Sequence, residues 1–264
     1  SRSVAGGIVA VAHGASIIDG CEAGSNDRAL DVKAYGTAQT YSDSNIENIT
    51  TAAGGIVGLA DTAKSGSYYD GTTLTVKNNK VVNAKVQSAK NNIGGIVGFA
   101  YGSSSTAKNK NNRVDIASNL VQNADISAIS FNTALSNVGT RTGGILGYSN
   151  ENISIIVREC VVGADNATDT ITIQGENSIG GIVGETPDAI NEIIGCKVLN
   201  SATIKRANNW GVVTNAGESG TAIGGIVGLT YNAERTDPIT TTFSGNIVFK
   251  GKIVIAVGTY YISA

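Results

Sequence analysis

A short motif that recurs six times constrains the fold of this sequence more than any other feature. Gly-Gly-Ile followed by Val or Leu recurs at intervals of 48, 40, 49, 37 and 44 residues, beginning at Gly6, Gly54, Gly94, Gly143, Gly180 and Gly224. Self-similarity with a period of about 40 residues is typical of repeat proteins, in which a unit that cannot bury its own apolar face stacks on the next copy. The sequence therefore predicts six copies of one unit, with segments of variable length inserted between fixed positions.

Two further sets of apolar positions follow each Gly pair. The first set is an apolar residue, then Asn or Cys, then Val or Ala: Ile18/Cys21/Ala23, Val76/Asn79/Val81, Ile116/Asn119/Val121, Val157/Cys160/Val162, Ile193/Cys196/Val198 and Phe243/Asn246/Val248. The second set comes later in each copy: Leu30/Val32, Val86, Ile126, Ile171/Ile173, Ile204 and Ile253/Ile255. Apolar residues that alternate with polar ones indicate strands, so we expect three short strands per repeat.

An all-β parallel β-helix, or β-solenoid, of about six coils with variable loop inserts accounts for this pattern. Strands of successive coils would lie about 4.8 Å apart, pair their backbones and bury one continuous core. A β-propeller is the alternative, because its blades have a similar period. Propeller blades need hairpin turns, however, and the strong hairpin signals are limited to the Asp-Gly pairs at Asp19 and Asp70. We expect one solenoid domain over residues 1–264.

The Gly pair is expected to serve a steric role. A corner of the coil needs either a positive φ angle or a close approach of two backbones, and glycine permits both. A phosphate-binding loop is the alternative, but neither Gly-x-Gly-x-x-Gly nor Gly-Lys-Ser/Thr leads from a strand into a helix here. The isoleucine after each pair should form one inward stack of Ile8, Ile56, Ile96, Ile145, Ile182 and Ile226.

All three cysteines fall in the same repeat position as the asparagines, and we name this position the Asn/Cys column (Cys21, Asn79, Asn119, Cys160, Cys196, Asn246). In stacked coils, neighbouring asparagines can pass amide hydrogen bonds along the column while they satisfy turn backbone. Cysteine would replace them as a small buried group. Because no Cys-x-x-Cys pair exists, we expect free thiols and no metal site. A disulfide between Cys160 and Cys196 is the alternative, disfavoured because in-register side chains run parallel.

The charge and hydropathy of the chain exclude two classes of partner. A formal net charge of −2 gives no basic surface to neutralise phosphates, so we expect no nucleic acid. The apolar run from Val4 to Ala12 is too short to cross about 30 Å of hydrocarbon, so no direct membrane insertion is expected within the chain.

The repeat resembles the GLUG-motif repeats of bacterial cell-surface proteins. The segment SIGGIVGETPDAINEIIGCKVLNSATI, which starts at Ser178, has their Gly-Gly-(Ile/Leu/Val)-Val-Gly strand, a short loop and an apolar segment ending in Cys or Asn. The resemblance covers essentially the whole chain and implies an adhesin-like β-solenoid in a large surface or secreted protein. This chain departs from the pattern by its longer inserts and by Ala10, which replaces the closing Gly of the first copy.

No catalytic, cofactor-binding or metal-ligating residues are predicted. Enzymes with this fold need converging carboxylates or acidic metal ligands, and the acidic residues of the loops do not align between copies: Asp61, Asp70, Asp165, Asp169, Glu185 and Asp237. Carboxylates meeting near Asp165 and Glu185 in adjacent coils stay open as an alternative. The single histidine, His13, is expected at a turn or on the surface.

The inserts carry the candidate ligand contacts. Tyr68, Tyr69 and Trp210 could stack on sugar rings or anchor a protein, although covering the flank of the core is the simpler interpretation. We therefore expect a non-enzymatic structural or adhesive module, extracellular or on a bacterial surface, whose partner is a protein or glycan. The alternatives are a filament or sheath subunit that self-associates through the solenoid ends, and a carbohydrate-binding or carbohydrate-active β-helix.

Overall fold

The computed structural model describes residues 3–35, 51–62, 72–89, 91–102, 112–129, 140–150, 153–166, 168–187, 191–206, 222–231, 241–249 and 252–254, and it contains no helix within these ranges. The strands in chain order are β1 (Ser3–Gly6), β2 (Val9–His13), β3 (Ile17–Asp19), β4 (Glu22–Ala23), β5 (Leu30–Ala34), β6 (Thr51–Gly54), β7 (Val57–Asp61), β8 (Thr73–Lys77), β9 (Lys80–Ser88), β10 (Asn92–Gly94), β11 (Val97–Tyr101), β12 (Arg113–Ala117), β13 (Leu120–Ala128), β14 (Arg141–Gly143), β15 (Leu146–Ser149), β16 (Ser154–Arg158), β17 (Val161–Val162), β18 (Ile171–Gly175), β19 (Ser178–Gly180), β20 (Val183–Pro187), β21 (Asn191–Ile194), β22 (Lys197–Val198), β23 (Ala202–Arg206), β24 (Ala222–Gly224), β25 (Val227–Tyr231), β26 (Thr241–Ser244), β27 (Ile247–Val248) and β28 (Lys252–Val254).

These strands form six coils, and each coil passes through four sheets. Sheet 1 has the order β1-β6-β10-β14-β19-β24, and sheet 2 has the order β2-β7-β11-β15-β20-β25. Sheet 3 runs β3-β8-β12-β16-β21-β26, and sheet 4 contains the ten remaining strands. The pairings between strands in the described ranges are parallel and join each coil to the next. The predicted parallel β-helix is therefore correct, and the propeller is excluded because its blades pair antiparallel strands.

The expectation of three strands per repeat was wrong, since the chain crosses four sheets. The recurrent Gly-Gly-Ile-Val is not one strand. Its first Gly closes a sheet 1 strand, the next two residues make the corner, and Val or Leu opens a sheet 2 strand. The sheet 1 strands are only three or four residues long and vary in composition, so they show no apolar alternation that would have predicted them.

Two of the four corners are constant in length and two vary. Two residues separate sheet 1 from sheet 2 in all six coils, and two residues separate sheet 3 from sheet 4. At the corner between sheets 2 and 3 the connecting residues are 14–16, 62–72, 102–112, 150–153, 188–190 and 232–240. At the corner between sheets 4 and 1 they are 35–50, 89–91, 129–140, 176–177 and 207–221. The uneven repeat period therefore arises mainly at these two corners, and also within sheet 4, where residues 24–29 and 163–170 separate the two strands of the first and fourth coils.

The core is a set of apolar columns parallel to the helix axis. Three columns pair in register through all six coils: Ile18↔Val76↔Ile116↔Val157↔Ile193↔Phe243, Ala23↔Val81↔Val121↔Val162↔Val198↔Val248 and Val32↔Val86↔Ile126↔Ile173↔Ile204↔Ile253. The predicted isoleucine stack is also present. Ile56, Ile96, Ile145 and Ile182 are fully buried, whereas Ile8 in the first coil is 45% exposed.

The Gly pairs act through close approach and not through positive φ angles. The described glycines with positive φ stand at other positions, such as Gly20 and Gly195. A Cβ atom on Gly55 would overlap the carbonyl oxygen of Gly95 in the next coil, and a Cβ on Gly54 would overlap the carbonyl oxygen of Val57. A side chain at the first Gly of the pair would therefore distort the corner itself. A side chain at the second Gly would push two successive coils apart.

Candidate functional site

The Asn/Cys column occupies the second residue of the two-residue corner between sheets 3 and 4. Each asparagine side chain accepts a hydrogen bond from the backbone N–H of the column residue in the preceding coil. The donors are the backbone N–H groups of Cys21 to Asn79 Oδ1 (2.9 Å), of Asn79 to Asn119 Oδ1 (2.9 Å) and of Cys196 to Asn246 Oδ1 (2.9 Å). These amides, buried at Asn79 and Asn119 and half-buried at Asn246, therefore satisfy the corner backbone of the coil before them.

The amide nitrogen of each asparagine makes the second bond of the column. It donates to a carbonyl three residues before the column position in the preceding coil: Asn79 Nδ2 to Ile18 O (3.1 Å), Asn119 Nδ2 to Val76 O (2.9 Å) and Asn246 Nδ2 to Ile193 O (2.7 Å). Asn79 Nδ2 also donates to Asn119 Oδ1 at 3.0 Å. The side chains thus add hydrogen bonds between successive coils at the corner between sheets 3 and 4.

The cysteines of the column can donate towards the preceding coil or towards their own. The Cys160 thiol lies 3.6 Å from Ile116 O in the preceding coil and 3.4 Å from Arg158 O in its own, and the Cys196 thiol lies 3.6 Å from both Val157 O and Ile194 O. Cys160 Sγ also accepts from Asn119 Nδ2 at 3.9 Å. All three cysteines are free; Cys160 and Cys196 are buried, and Cys21 is half-buried. Burial, reinforced by the neighbouring Cys196, raises the pKa of the Cys160 thiol well above its ordinary value. A neutral buried thiol is neither a good nucleophile nor a metal ligand.

A further position of this corner was missed by sequence reasoning. The residue just before the column adopts a left-handed conformation in all six coils: Gly20 (φ 66°), Asn78 (φ 55°), Ser118 (φ 53°), Glu159 (φ 53°), Gly195 (φ 63°) and Gly245 (φ 63°). Glycine and asparagine tolerate this conformation best, and they hold four of the six positions. The recurrence of Gly and Asn at this position was the sequence signal from which the left-handed conformation could have been predicted.

A second apolar cluster lies on the outer face of sheets 1 and 2, away from the main core. This outer cluster contains Ala52, Leu59, Phe99 and Tyr148, with Val4 and Tyr101 packed against it. The Phe99 and Tyr148 rings stack with a centroid separation of 5.2 Å and an interplanar angle of 7°. Similar side chains of adjacent coils therefore stack on one another in this outer cluster, as they do in the columns of the main core.

Charged groups extend the outer cluster towards the later coils. The Arg141 guanidinium lies 4.2 Å from the centre of the Tyr148 ring, and its Nε is 2.8 Å from Glu185 Oε1. The Ser178 hydroxyl donates to Glu185 Oε2 at 2.7 Å. Glu185 is only 4% exposed, so these contacts hold its carboxylate in place. The sequence did not reveal this pair, because its partners stand in different columns of different repeats.

Among the acidic residues singled out from the sequence, those that the structure describes have separate surroundings. Glu185 is held by Arg141 and Ser178, whereas Asp165 is exposed after a sheet 4 strand. Asp61 lies 3.2 Å from the exposed His13, measured between its Oδ2 and the histidine Nδ1. Asp169 is half-buried, and Asp70 and Asp237 lie outside the described residues. Within the described ranges there is no group of three His, Cys, Asp or Glu side chains that could hold a metal ion.

The candidate ligand contacts Tyr68, Tyr69 and Trp210 also lie outside the described residues. The strands that flank them are described. Tyr68 and Tyr69 fall between β7 and β8, at the corner between sheets 2 and 3, whereas Trp210 falls between β23 and β24, at the corner between sheets 4 and 1. The two aromatic segments therefore belong to different corners and to coils that are not adjacent.

Within the described residues, no helix is available that could cross a membrane. No protein-family model matches the chain, and no curated protein matches it. Among solved structures, the chain is similar to a protein from Bacteroides ovatus that is provisionally described as an immunoglobulin A1 protease, with 15% identity and a TM-score of 0.40. The similarity covers 98% of this chain and 75% of that chain. A likeness of this extent carries no argument about function.

Proposed function

We propose that this chain is a non-enzymatic scaffold module of a bacterial cell-surface or secreted protein, which presents variable segments from a stiff β-helix for adhesion. The observation that carries the proposal is the distribution of the inserts. All differences in repeat length at the corners fall between sheets 2 and 3 or between sheets 4 and 1, whereas the other two corners keep two residues in every coil. Binding residues on variable loops above a rigid framework are a common arrangement in proteins.

The contacts of the described ionisable groups support the non-enzymatic part of the proposal. The buried carboxylate of Glu185 forms an ion pair with Arg141 and accepts a hydrogen bond from the Ser178 hydroxyl. Oppositely charged groups of neighbouring coils face one another on the outside, as Asp19 and Lys77 do at 3.4 Å and Arg158 and Glu192 do at 3.6 Å. These contacts pair charges between coils, whereas glycoside cleavage requires two carboxylates on either side of a substrate.

The proposed ligand is a glycan or protein on another surface, contacted by Trp210, Tyr68 and Tyr69. The resemblance of the repeats to GLUG motifs supports the proposed extracellular or cell-surface location. Aromatic rings stack on sugars and dominate many protein interfaces, so they are the strongest candidates among the insert residues.

Replacing an insert by a short corner tests the scaffold. Residues 62–72 would be exchanged for Gly-Ala-Ser, which connects the same two sheets in the first coil. Because the insert is expected to add little to the core, the midpoint of thermal unfolding should shift by only a few degrees, equivalent to about 1 kcal/mol. Deletion of Ser118 and Asn119 from a constant corner is the control and should abolish cooperative unfolding. Loss of the fold in the insert replacement would contradict the proposal.

Binding to a glycan array and to intact bacterial or host cells tests the adhesive role. Trp210→Ala and the pair Tyr68→Ala with Tyr69→Ala should each weaken binding at least tenfold without changing the unfolding midpoint. Absence of binding by the parent chain would contradict adhesion. Turnover of a polysaccharide or protein substrate by the purified chain would contradict the non-enzymatic assignment.

A further inference from the structure

The outer faces of sheets 1 and 2 form a groove, which we name the corner groove (Asn92, Arg141, Tyr148, Ser178 and Glu185). Side chains on the two faces contact each other across the constant corner. The Arg141 guanidinium of sheet 1 lies 4.2 Å from the centre of the Tyr148 ring of sheet 2, and Ser178 of sheet 1 donates to Glu185 of sheet 2 at 2.7 Å. The two faces are therefore inclined towards each other.

Both rows of inserts border the corner groove. In each coil one variable corner precedes sheet 1 and the other follows sheet 2. Tyr68 and Tyr69 fall at one border and Trp210 falls at the other. On the opposite side of the helix, the corner between sheets 3 and 4 projects outwards, because the residue before the Asn/Cys column is exposed in each of the first four coils. Since binding sites are concave, the corner groove is the better candidate for a ligand that contacts both rows.

Arg141 is held in the groove with its two terminal nitrogens unpaired. Its guanidinium lies over the Tyr148 ring, and its Nε is 2.8 Å from Glu185 Oε1. Neither Nη atom forms a hydrogen bond or an ion pair with a residue that the structure describes, and the side chain is 22% exposed. A guanidinium fixed in this way loses little further freedom on binding, and its Nη groups can donate to oxygen atoms of a ligand.

Asn92 lies beside Arg141 in the preceding coil. The two residues pair in register, and Asn92 pairs on its other side with Ala52, a member of the outer cluster. Asn92 is fully buried, and neither its Oδ1 nor its Nδ2 has a hydrogen-bond partner in the described part of the chain. A buried amide without a partner costs free energy and is rare in folded proteins. The groove thus contains a donor and an acceptor that a ligand can satisfy.

We propose that the corner groove binds a neutral saccharide, whose hydroxyl groups contact the Nη atoms of Arg141 and the amide of Asn92. Because Glu185 balances the charge of Arg141, the groove offers little attraction to an anion. Hydroxyl groups both donate and accept, which matches the amide of Asn92 and the donors of Arg141. Because Asn92 is fully buried, a hydroxyl group reaches its amide only after a neighbouring side chain of the groove shifts.

Calorimetric titration of the purified chain with a saccharide tests the role of Arg141. The parent chain is first screened on an array of neutral and acidic oligosaccharides, and the neutral oligosaccharide with the strongest signal is then titrated. Arg141→Lys keeps a cation beside Glu185 but lacks the two Nη donors, so it should raise the Kd at least about tenfold. Arg113→Lys is the matched control, because Arg113 pairs with Asp115 on the outer face of sheet 3, and it should bind like the parent.

The variant Asn92→Leu separates binding from stability. Leucine has a similar size and removes the unpartnered amide, so the midpoint of thermal unfolding should stay the same or rise, whereas the Kd should increase at least about tenfold. In the ¹⁵N-labelled parent, the saccharide should also shift the side-chain amide signals of Asn92. A lower unfolding midpoint in Asn92→Leu would show that the amide has a structural partner, and it would overturn the proposed role of Asn92.

The inference rests on the proposed binding role of the module, but the two can fail separately. Unchanged saccharide affinity in Arg141→Lys and Asn92→Leu, together with loss of binding in Trp210→Ala, would overturn the groove and leave the proposed function intact. Binding to acidic oligosaccharides alone would overturn the neutral class of ligand. A parent chain that binds no oligosaccharide would overturn the groove, and absence of binding to cells as well would overturn the proposed function.

Discussion

The side-chain amide of Asn119 connects three coils at one corner. Its Oδ1 accepts from the backbone N–H of Asn79 at 2.9 Å, and its Nδ2 donates to Val76 O at 2.9 Å. Its Nδ2 also lies 3.9 Å from Cys160 Sγ in the following coil. A buried donor or acceptor that loses its partner costs more than the bond contributed, which explains why a small polar group recurs at this position.

Substitution of Asn119 should rank asparagine, cysteine and alanine by the stability that each gives at this position of the column. Asn119→Ala removes both the donor and the acceptor and should lower the free energy of unfolding by about 1–3 kcal/mol. Asn119→Cys keeps a donor towards Val76 and should cost less. Urea denaturation of the three proteins measures the order. Equal losses for alanine and cysteine would contradict the assigned role of the thiols.

The Arg141–Glu185 pair should be sensitive to removal of one partner and tolerant to removal of both. Arg141→Met leaves the Glu185 carboxylate buried without its cation and should cost about 3 kcal/mol, whereas Arg141→Met with Glu185→Leu should recover most of this loss. Arg158→Met is the control: its partner Glu192 lies 3.6 Å away and both side chains are exposed, so the loss should stay below about 1 kcal/mol. Additive losses in the double variant would contradict the coupling.

Glu176 should make stability depend on pH in an unusual direction. Burial raises the pKa of its carboxyl group from 4.5 to about 7, and Arg206 partly opposes the shift. The folded state therefore holds a proton that the unfolded state releases at lower pH. The contribution to stability is fully present below pH 4.5 and is lost as pH rises towards about 7.

The pH effect can be measured by urea denaturation at several pH values. Glu176→Gln should flatten the decline in stability between pH 4.5 and 7 and should be more stable than the parent at pH 8. Glu159→Gln, on an exposed side chain, is the matched control and should keep the parent's decline. An unchanged slope in Glu176→Gln would contradict the assignment.

The corner between sheets 1 and 2 is the element that most limits side-chain size. A Cβ atom on Gly95 would overlap the carbonyl oxygen of Gly144 and would lie 2.9 Å from Ile126 Cδ1 and 3.0 Å from Val121 Cγ2. The obstacles include backbone of the next coil, which cannot move without breaking the register of sheet 1. The repeated Gly pair is thus a requirement of coil stacking.

Alanine substitutions should separate the close-approach glycines from those with positive φ. Gly95→Ala should cost about 3 kcal/mol or more, because the extra methyl group separates two coils. At Gly195 a Cβ would meet nothing nearer than Glu159 Cγ at 3.8 Å, so Gly195→Ala should cost only the left-handed conformation, about 1 kcal/mol. Thermal unfolding of both variants measures the difference. A reversed order would show that the corner is not limited by contact between coils.

The sequence predicted those strands whose apolar side chains recur at the same spacing in each repeat. Ile116 and Val157 could be aligned in advance because apolar spacing repeats, and they pair in the structure. The short sheet 1 strands could not be recognised, since they vary in composition and end in glycine. The Arg141–Glu185 contact depends on which coil follows which and on the faces of two sheets. The spacing of residues in one sequence shows neither the neighbouring coil nor the sheet face until the register between coils is known.

At the scale of the whole molecule, the six coils make a short body with two different ends. At about 4.8 Å per coil, these six coils rise about 25–30 Å along the helix axis. The inserts at the two variable corners give each coil its own surface, and this separation of framework from insert is the basis of the proposed adhesive role.

The most direct test of the stacked-coil arrangement is a nuclear Overhauser spectrum of the uniformly labelled chain. The structure predicts contacts between backbone protons of coil neighbours in parallel register, such as Val121 with Val81 and Val162, and Ile116 with Val76 and Val157. Strong Hα–Hα contacts between neighbouring strands of the same repeat, which mark antiparallel hairpins, together with the absence of contacts between coils, would contradict it.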